Sequence, residues 1–528
     1  MTERAEQEDS VQTSRKTYTS MGGEGVLTIP SNMRQLWNVI KLVMLGTVTA
    51  IVLAACGDHG GGDPLTIKGM QTESFHSDTN GMTLVTTGAA FEFSFSSHDM
   101  IVRQRIGLYR PLAVLRFSEP FENLIKQGPS KTGFDYVWGD PDSPEPSIAI
   151  SGDSVMRLYN VQQVEVRLQF DPQHYKENPP NKGFVALDVT GGISVLPPAS
   201  ATLDTFPVAA TGKDWILKSK SPLHVLFIAV SPARRFDWER SLIPVVHYSS
   251  HTKRYPTDEE IREISTYAGV LELHQWVWES RYVNNHDCSN ENYSNCIGND
   301  TPLWFDGSSD PQNGMFLPED EKEFLRTVDA AHENNMIAVP YFNGVEMSSG
   351  DAIVKEARRL KDTYPIDGIY LDGLCDRSGN WPEEAYLAAR GLRAVFGERG
   401  WINFHNTHDG YFAPFVQTYM DFITTSEHSA FSRWNTTTYG ISNAIGGYWP
   451  EIPAFFPDSS QNITDARPML RELVDESLLY NNRLLIFTGD QGQWRYWRLC
   501  FTPDELAFMR TYYLSEMKTI QSLFTSDY

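Results

Sequence analysis

The chain has 528 residues, 41% hydrophobic and 12% aromatic, enough for more than one globular core and too apolar for wholesale disorder. Its formal net charge of −23 argues against nucleic acid or another polyanion as a general partner, because a phosphate backbone demands Lys and Arg.

The first strong signal starts at Met33, where the chain reads "MRQLWNVIKLVMLGTVTAIVLAACGD". Arg34 and Lys41 precede an apolar run, Leu42 to Leu53, that is short for a membrane-spanning helix but has the layout of a secretory signal. The stretch Leu53-Ala54-Ala55-Cys56 resembles the bacterial lipoprotein signal, with an uncleaved membrane anchor as the alternative. That resemblance implies that Cys56 is lipidated and becomes the mature N-terminus. Residues 1–56 are then an extension plus signal, with Met33 a candidate start, and the Gly-rich 57–66 a flexible tether. The expected location is the cell envelope, with the chain lipid-anchored on the extracytoplasmic side. In that oxidising setting Cys288 and Cys296 are expected to close a small disulfide loop, while Cys375 and Cys500 stay unpaired. A metal site is the rival for Cys288 and Cys296, but their spacing fits no zinc pattern.

Residues 67–236 read as an all-β sandwich. "GMTLVTTGAAFEFSFSS", "RPLAVLRFS", "VEVRLQFD", "GFVALDVTGG" and "PLHVLFIAVSP" are short runs punctuated by Gly, Pro, Asn and Asp, without convincing helices. Bracing of the following domain is the favoured role.

From 237 to 528 strands alternate with amphipathic helices. Eight strands are predicted: 242–248, 269–277, 336–344, 367–373, 401–406, 421–427, 443–449 and 484–490. The helix "PTDEEIREISTYA" opens with Thr257 and has Glu260 three residues on, a capping box. "PEDEKEFLRTVDAAHENN" places Pro318 and acids in its first turn. Eight strand–helix units in this length suit a (β/α)8 TIM barrel. A doubly wound open sheet is the alternative, but no strand is followed by a glycine-rich dinucleotide fingerprint.

In such a barrel the chemistry belongs to the C-terminal ends of the strands. Those ends carry His247, His274 with Trp276, Tyr341 with Asn343, Asp372, then Asn403, His405 and His408, Glu427, Trp449 with Glu451, and Asp490. Nine of the 13 tryptophans lie beyond residue 238, most at or after strand ends, which favours a ligand groove over simple core filling. Flat aromatic faces beside carboxylates and amides suit sugars.

Asp372 ends strand four and Glu427 ends strand six, next-but-one neighbours whose tips can face each other across the mouth. Glycoside hydrolysis needs such a pair, one acid protonating the leaving oxygen and the other attacking the anomeric carbon or activating water. The bland readings are a helix cap for Asp372 and a surface acid for Glu427. Asp490 is the reserve. In "HNTHD", His405, His408 and Asp409 invite a metal reading, but no zinc signature is present, and His405 with Asn406 is read instead as binding substrate or orienting a carboxylate.

"IDGIYLDG" after an amphipathic helix, "RGLRAVFG" followed by "INFHNT", and a preceding sandwich together resemble the barrel glycoside hydrolases related to α-galactosidases and endo-α-N-acetylgalactosaminidases. The resemblance spans about 240 to 528. It implies that Asp372 is the nucleophile of a retaining enzyme and Glu427 the acid/base, although the α-galactosidase pattern has Asp at that place. A substrate-assisted relative would need an adjacent Asp-Glu pair at a strand end, which is not seen. The expected activity is hydrolysis of an extracytoplasmic oligo- or polysaccharide without cofactor or metal. His247, His274, Trp276, Tyr341, Asn343, His405, Asn406, Trp449 and Asp490 are the expected substrate-binding residues. The rivals are a non-catalytic carbohydrate-binding lipoprotein and a metal-dependent hydrolase.

Overall fold

A computed structural model of the chain describes, with internal gaps, residues 72–278, 316–372, 381–406 and 413–427, together with 451–454, 485–489 and 502–511. The segments holding Cys56, Cys288 and Cys296 fall outside the described residues, as do Cys375, Cys500, His408, Asp409, Trp449 and Asp490. No described helix is long and apolar enough to cross a membrane.

The first half is an antiparallel β-domain. Strands β1 (Thr72–Asp78), β2 (Gly81–Thr86), β3 (Phe91–Phe95), β4 (Asp99–Gln104) and β5 (Arg110–Phe117) form a meander. A second meander is β6 (Ser130–Thr132), β7 (Asp135–Trp138) and β8 (Ser147–Ser151). Then come β9 (Val155–Leu168), β10 (His174–Asn178), β11 (Gly183–Asp188), β12 (Gly191–Leu196) and β13 (Asp214–Ser231).

The long strands β9 and β13 belong to both layers. The early part of β9 pairs with β8 and its end, Val164 to Leu168, pairs with β5. Between these parts Asn160 adopts a left-handed φ of 55°, and β13 shifts register between Lys218 and Leu223. Such irregularities bend a strand and increase its twist. Phe93, Met100, Val102 and Leu115 of one layer share a core with Ile148, Leu158, Ile193 and Leu226 of the other. The Phe95 and Trp138 rings meet there at 6.2 Å.

The second half is a curled parallel sheet of eight strands. They are β14 (Val245–Ser249), β15 (Val270–Leu273), β16 (Ile337–Asn343), β17 (Gly368–Asp372), β18 (Trp401–Asn406), β19 (Phe422–Glu427), β20 (Glu451–Ala454) and β21 (Leu485–Gly489). Each pairs in parallel with its neighbour from β14 to β20, and β21 pairs with β14. The ladder's two outer strands, β20 and β21, approach within 8 Å between Cα atoms, so the sheet curls toward closure. Helices α1 (Asp258–Ser265), α2 (Glu321–Glu333), α3 (Gly350–Thr363), α4 (Trp381–Phe396) and α5 (Ala413–Val416) follow β14 to β18 in turn. The chain is therefore an antiparallel β-domain followed by a TIM-barrel-like domain.

Local chemistry sets the helix starts. Thr257 Oγ1 accepts the Glu260 N–H while the Glu260 carboxylate accepts the Thr257 N–H, the reciprocal box expected at α1. At α2 the helix begins later than the sequence suggests: Asp320 caps it by accepting the Glu323 N–H, and Pro318 sits upstream in an extended bridge to Trp278. One strand boundary also differs. Strand two stops at Leu273, where a tight turn over Gln275–Val277 takes over. The sheet's seventh described strand is Glu451–Ala454; the predicted 443–449, with Trp449, lies outside the described residues. At Gly368 a Cβ would lie 1.6 Å from the Trp401 carbonyl oxygen, so only glycine lets β17 and β18 approach this closely.

The β-domain packs directly on the barrel. Tyr159, Val185, Leu187, Val225 and Phe227 join the barrel's apolar core, while their chain neighbours Leu158, Ala186 and Leu226 point into the sandwich. Burial on both faces explains why these strands read as continuous apolar runs. The Phe227 ring lies 5.6 Å from Tyr386 of α4 and 6.1 Å from Phe415 of α5, a burial worth about 2–3 kcal/mol. Beside it Asp135 accepts from Arg157 at 2.9 Å and from Arg390 of α4 at 2.8 Å.

Candidate active site

A barrel interior is normally filled with branched apolar side chains. Here five consecutive strands, β14 to β18, place polar or aromatic groups inside it. Strand periodicity of two brings His247, Glu272 and His274, Tyr341, Tyr370 and Asp372, and Asn403 and His405 to one side of the sheet. They form two tiers.

The upper tier is built around Asp372, at the C-terminal end of β17. The Tyr341 hydroxyl donates to Asp372 Oδ2 at 2.8 Å, across the pair of strands that aligns Asn343 with Asp372. His405, in register with Asp372 on β18, has Nδ1 3.0 Å from Asp372 Oδ1 and 2.9 Å from the Tyr370 hydroxyl. Burial alone would raise the Asp372 pKa, but the His405 contact, its charge and the Tyr341 hydroxyl outweigh it and hold the group below its ordinary value. Asp372 is thus ionised at neutral pH. An ionised neighbour requires the His405 proton on Nδ1, since a ring lone pair facing a carboxylate would repel it. The Asp372 side chain retains 24% exposure, although Oδ1 on the His405 side is itself buried. It caps no described helix.

The lower tier is sealed. Glu272, His247 and Asn403 are all buried. His247 Nδ1 lies 2.9 Å from Glu272 Oε2, and Asn403 Nδ2 donates to Glu272 Oε1 at 2.7 Å. Burial pushes Glu272 up to about 8, only partly offset by the Asn403 hydrogen bond, and takes His247 down to about 3. At neutral pH the pair is uncharged, with the Glu272 carboxyl hydrogen donated to His247 Nδ1. Burial likewise holds His274 well below its ordinary value, aided by His247 and opposed by Asp372.

Ring contacts tie the tiers together. His247 stands edge-on to Tyr370 at 4.7 Å, and His274 bridges His247 at 5.0 Å and Tyr341 at 5.1 Å. Of the residues singled out in the sequence, His247, His274, Tyr341, Asp372 and His405 thus meet in one cluster. Trp276 does not join it. Its indole N–H donates to the Tyr248 carbonyl at 3.3 Å, and its ring packs edge-on against Tyr248 and Tyr255. Asn343 and Asn406 end β16 and β18, Asn343 in register with Asp372 and Asn406 one residue beyond His405, in the opposite phase.

Glu427 ends β19. Its strand aligns Thr424 with His405, hence with Asp372, and a one-residue bulge after Thr425 pairs Glu427 with Ala454. The bulge keeps position 427 in the same two-residue phase as Thr424, two rungs, or about 7 Å, farther along the sheet. Glu272 and Tyr370 belong to the same cluster but were not singled out in the sequence. Their signal was a carboxylate and a phenol inside apolar runs, "VLELH" and "GIYLD", where a charge inside a buried strand would be expensive.

No family model matches the chain, and no curated protein sequence matches it. Among solved structures, a GH31 dextranase from Flavobacterium johnsoniae is similar at 8% identity and a TM-score of 0.37, covering 86% of this chain and 68% of that one. An Anoxybacillus α-amylase is similar at 12% identity and a TM-score of 0.32, over 55% of this chain and 81% of that one. A GH99 endo-α-mannosidase from Bacteroides thetaiotaomicron shows 12% identity and a TM-score of 0.32, over 55% and 99% respectively. The similarity is distant and singles out no specific family or activity.

Proposed function

We propose that the protein is a retaining glycoside hydrolase with Asp372 as its nucleophile. The observation that carries this reading is the setting of Asp372: an ionised, tethered and partly exposed carboxylate at the C-terminal end of a central barrel strand. Asp372 attacks the anomeric carbon as the glycosidic C–O bond breaks, and Glu427 protonates the departing oxygen. Glu427 then takes a proton from water, whose oxygen displaces Asp372 from the same carbon. Tyr341 and His405 hold the Asp372 oxygens in place, so little reorganisation is needed as its charge is consumed. His274, Asn343 and Asn406 are the proposed sugar contacts around it.

The leader supports a location for this activity. Lipidation at Cys56 would tether the enzyme to the extracytoplasmic face of a membrane, where it meets oligo- or polysaccharides.

The test is a panel of chromogenic α- and β-glycosides offered to purified wild type and to Asp372→Asn. The reading expects at least one glycoside to be hydrolysed by wild type, with turnover lost and sugar binding kept in the variant. A wild type that binds sugars but hydrolyses none of the panel would favour a carbohydrate-binding protein instead. Wild-type hydrolysis undiminished in Asp372→Asn would remove Asp372 from the mechanism.

A further inference from the structure

The proposed chemistry makes no use of the sealed lower tier, where a glutamate with no exposed surface meets an imidazole and an amide. We infer that Glu272 is a positioning residue for the reaction at Asp372, acting through the His247 ring and the Asn403 amide on Tyr370 and His405. The inference rests on the reading of Asp372 as the reacting carboxylate.

The geometry is a continuous path. Glu272 Oε2 meets His247 Nδ1 at 2.9 Å, and the His247 ring stands edge-on to Tyr370 at 4.7 Å. The Tyr370 hydroxyl lies 2.9 Å from His405 Nδ1, which lies 3.0 Å from Asp372 Oδ1. On the other side Glu272 Oε1 accepts from Asn403 at 2.7 Å, and Asn403 is in register with Tyr370. A carboxyl group reaching from β15 to β18 therefore crosses the barrel beneath the residues that orient Asp372.

Its protonation decides what that floor does. As a neutral acid it gives its hydrogen to His247 Nδ1 and adds no charge below Asp372. Once ionised, it takes a hydrogen from Nδ1 instead, so the His247 proton moves between ring nitrogens, and a second negative charge lies under the nucleophile. The titratable groups around it are His247 on β14, His274 after β15, Tyr341 on β16, Tyr370 and Asp372 on β17, and His405 on β18. In-phase positions on the remaining strands, Phe422 and Thr424, Ile452 and Ala454, Leu485 and Phe487, carry no titratable side chain below Glu427. With burial favouring the acid form, the floor stays neutral until pH approaches about 8.

The test follows kcat/KM against pH, from about pH 5 to 10, for wild type, Glu272→Gln and Glu272→Leu on a dinitrophenyl glycoside that wild type hydrolyses, whose leaving group departs without a proton, so that Glu427 adds no alkaline limb of its own. Wild-type activity should fall as pH rises through about 8. Glu272→Gln keeps both hydrogen bonds in a group that does not ionise, so it should lose that alkaline limb and keep kcat within about tenfold of wild type. Glu272→Leu should lower kcat by about 10- to 100-fold with little change in KM, the usual loss when an orienting partner goes. A wild-type profile flat through that range, or an alkaline limb that persists in Glu272→Gln, would overturn the inference, and the second comparison holds even if Glu272→Leu does not fold. Failure of the wider reading looks different: Asp372→Asn would then be as active as wild type, whatever Glu272 does.

Discussion

Glu356 and Glu272 are both glutamates with no exposed surface, and the chain treats them in opposite ways. Glu356, on the outer helix α3, is clasped by Arg359 through Nε at 2.9 Å and Nη2 at 2.6 Å, and it accepts the Phe316 N–H at 2.9 Å. A guanidinium and a backbone donor meet its charge, and the group pins the segment before α2 to the helix layer. Glu272, inside the barrel, is met by an imidazole and an amide, neither of which brings a cation at neutral pH. It resolves the imbalance by keeping its proton. A balanced buried acid is architecture. An unbalanced one beneath an ionised rim carboxylate is the pattern expected where chemistry is done.

The largest effect that would break this comparison is at the rim. Asp372→Asn should lower kcat on the order of ten-thousand-fold, as removal of a nucleophile does, while thermal unfolding stays near wild type. Hydrolysis assays paired with melting curves would check both halves. Next in size is Glu356→Gln, which removes the buried negative charge that Arg359 clasps. It should destabilise the fold by about 3 kcal/mol in urea denaturation yet leave activity per folded molecule unchanged. If activity fell with it, the division between architecture and chemistry would be misplaced.

Glu272 predicts a pH signature in stability as well. Its folded pKa of about 8 stands above the ordinary 4.5, so its contribution is fully present below the ordinary value and is lost as pH rises toward 8. Urea midpoints should therefore drop between about 6.5 and 8 in wild type, above the range where the buried histidines act, and drop less in Glu272→Gln. His247 and His274, held below their ordinary value, act with the opposite sign: what they contribute is present above 6.5 and is lost as pH falls from there through their lowered folded values. The smallest expected change is at Tyr341. Tyr341→Phe deletes the 2.8 Å donor to Asp372, which should raise the carboxyl pKa, move the acid limb of the rate profile upward and lower kcat about tenfold.

The sequence carried the two-part architecture because two grammars are written in it: punctuated apolar runs, then runs alternating with capped amphipathic helices. Asp372 stood out because an acid at the end of an apolar run has few structural uses. Other features were hidden for physical reasons. β9 and β13 read as shorter strands because Asn160 and the Ser-Lys-Ser-Pro stretch after Lys218 look like breakers, whereas the strands pass through with a left-handed residue and a register shift. The strand Glu451–Ala454 was not read from the sequence because Pro453 argues against a strand. Glu272 was hidden by its neighbours, since a strand buried on both faces loses the alternation that marks an inward side chain. Trp276, an aromatic after a strand end, spends its N–H and its ring on the barrel wall.

The most direct measurement is chemical rescue of Asp372→Gly with azide on an activated glycoside. The account predicts that azide restores turnover and that the product is a glycosyl azide of inverted anomeric configuration, formed from the face the carboxylate vacated. Turnover by Asp372→Gly at the wild-type rate without azide, or a variant that azide leaves inert while wild type is active, would contradict it.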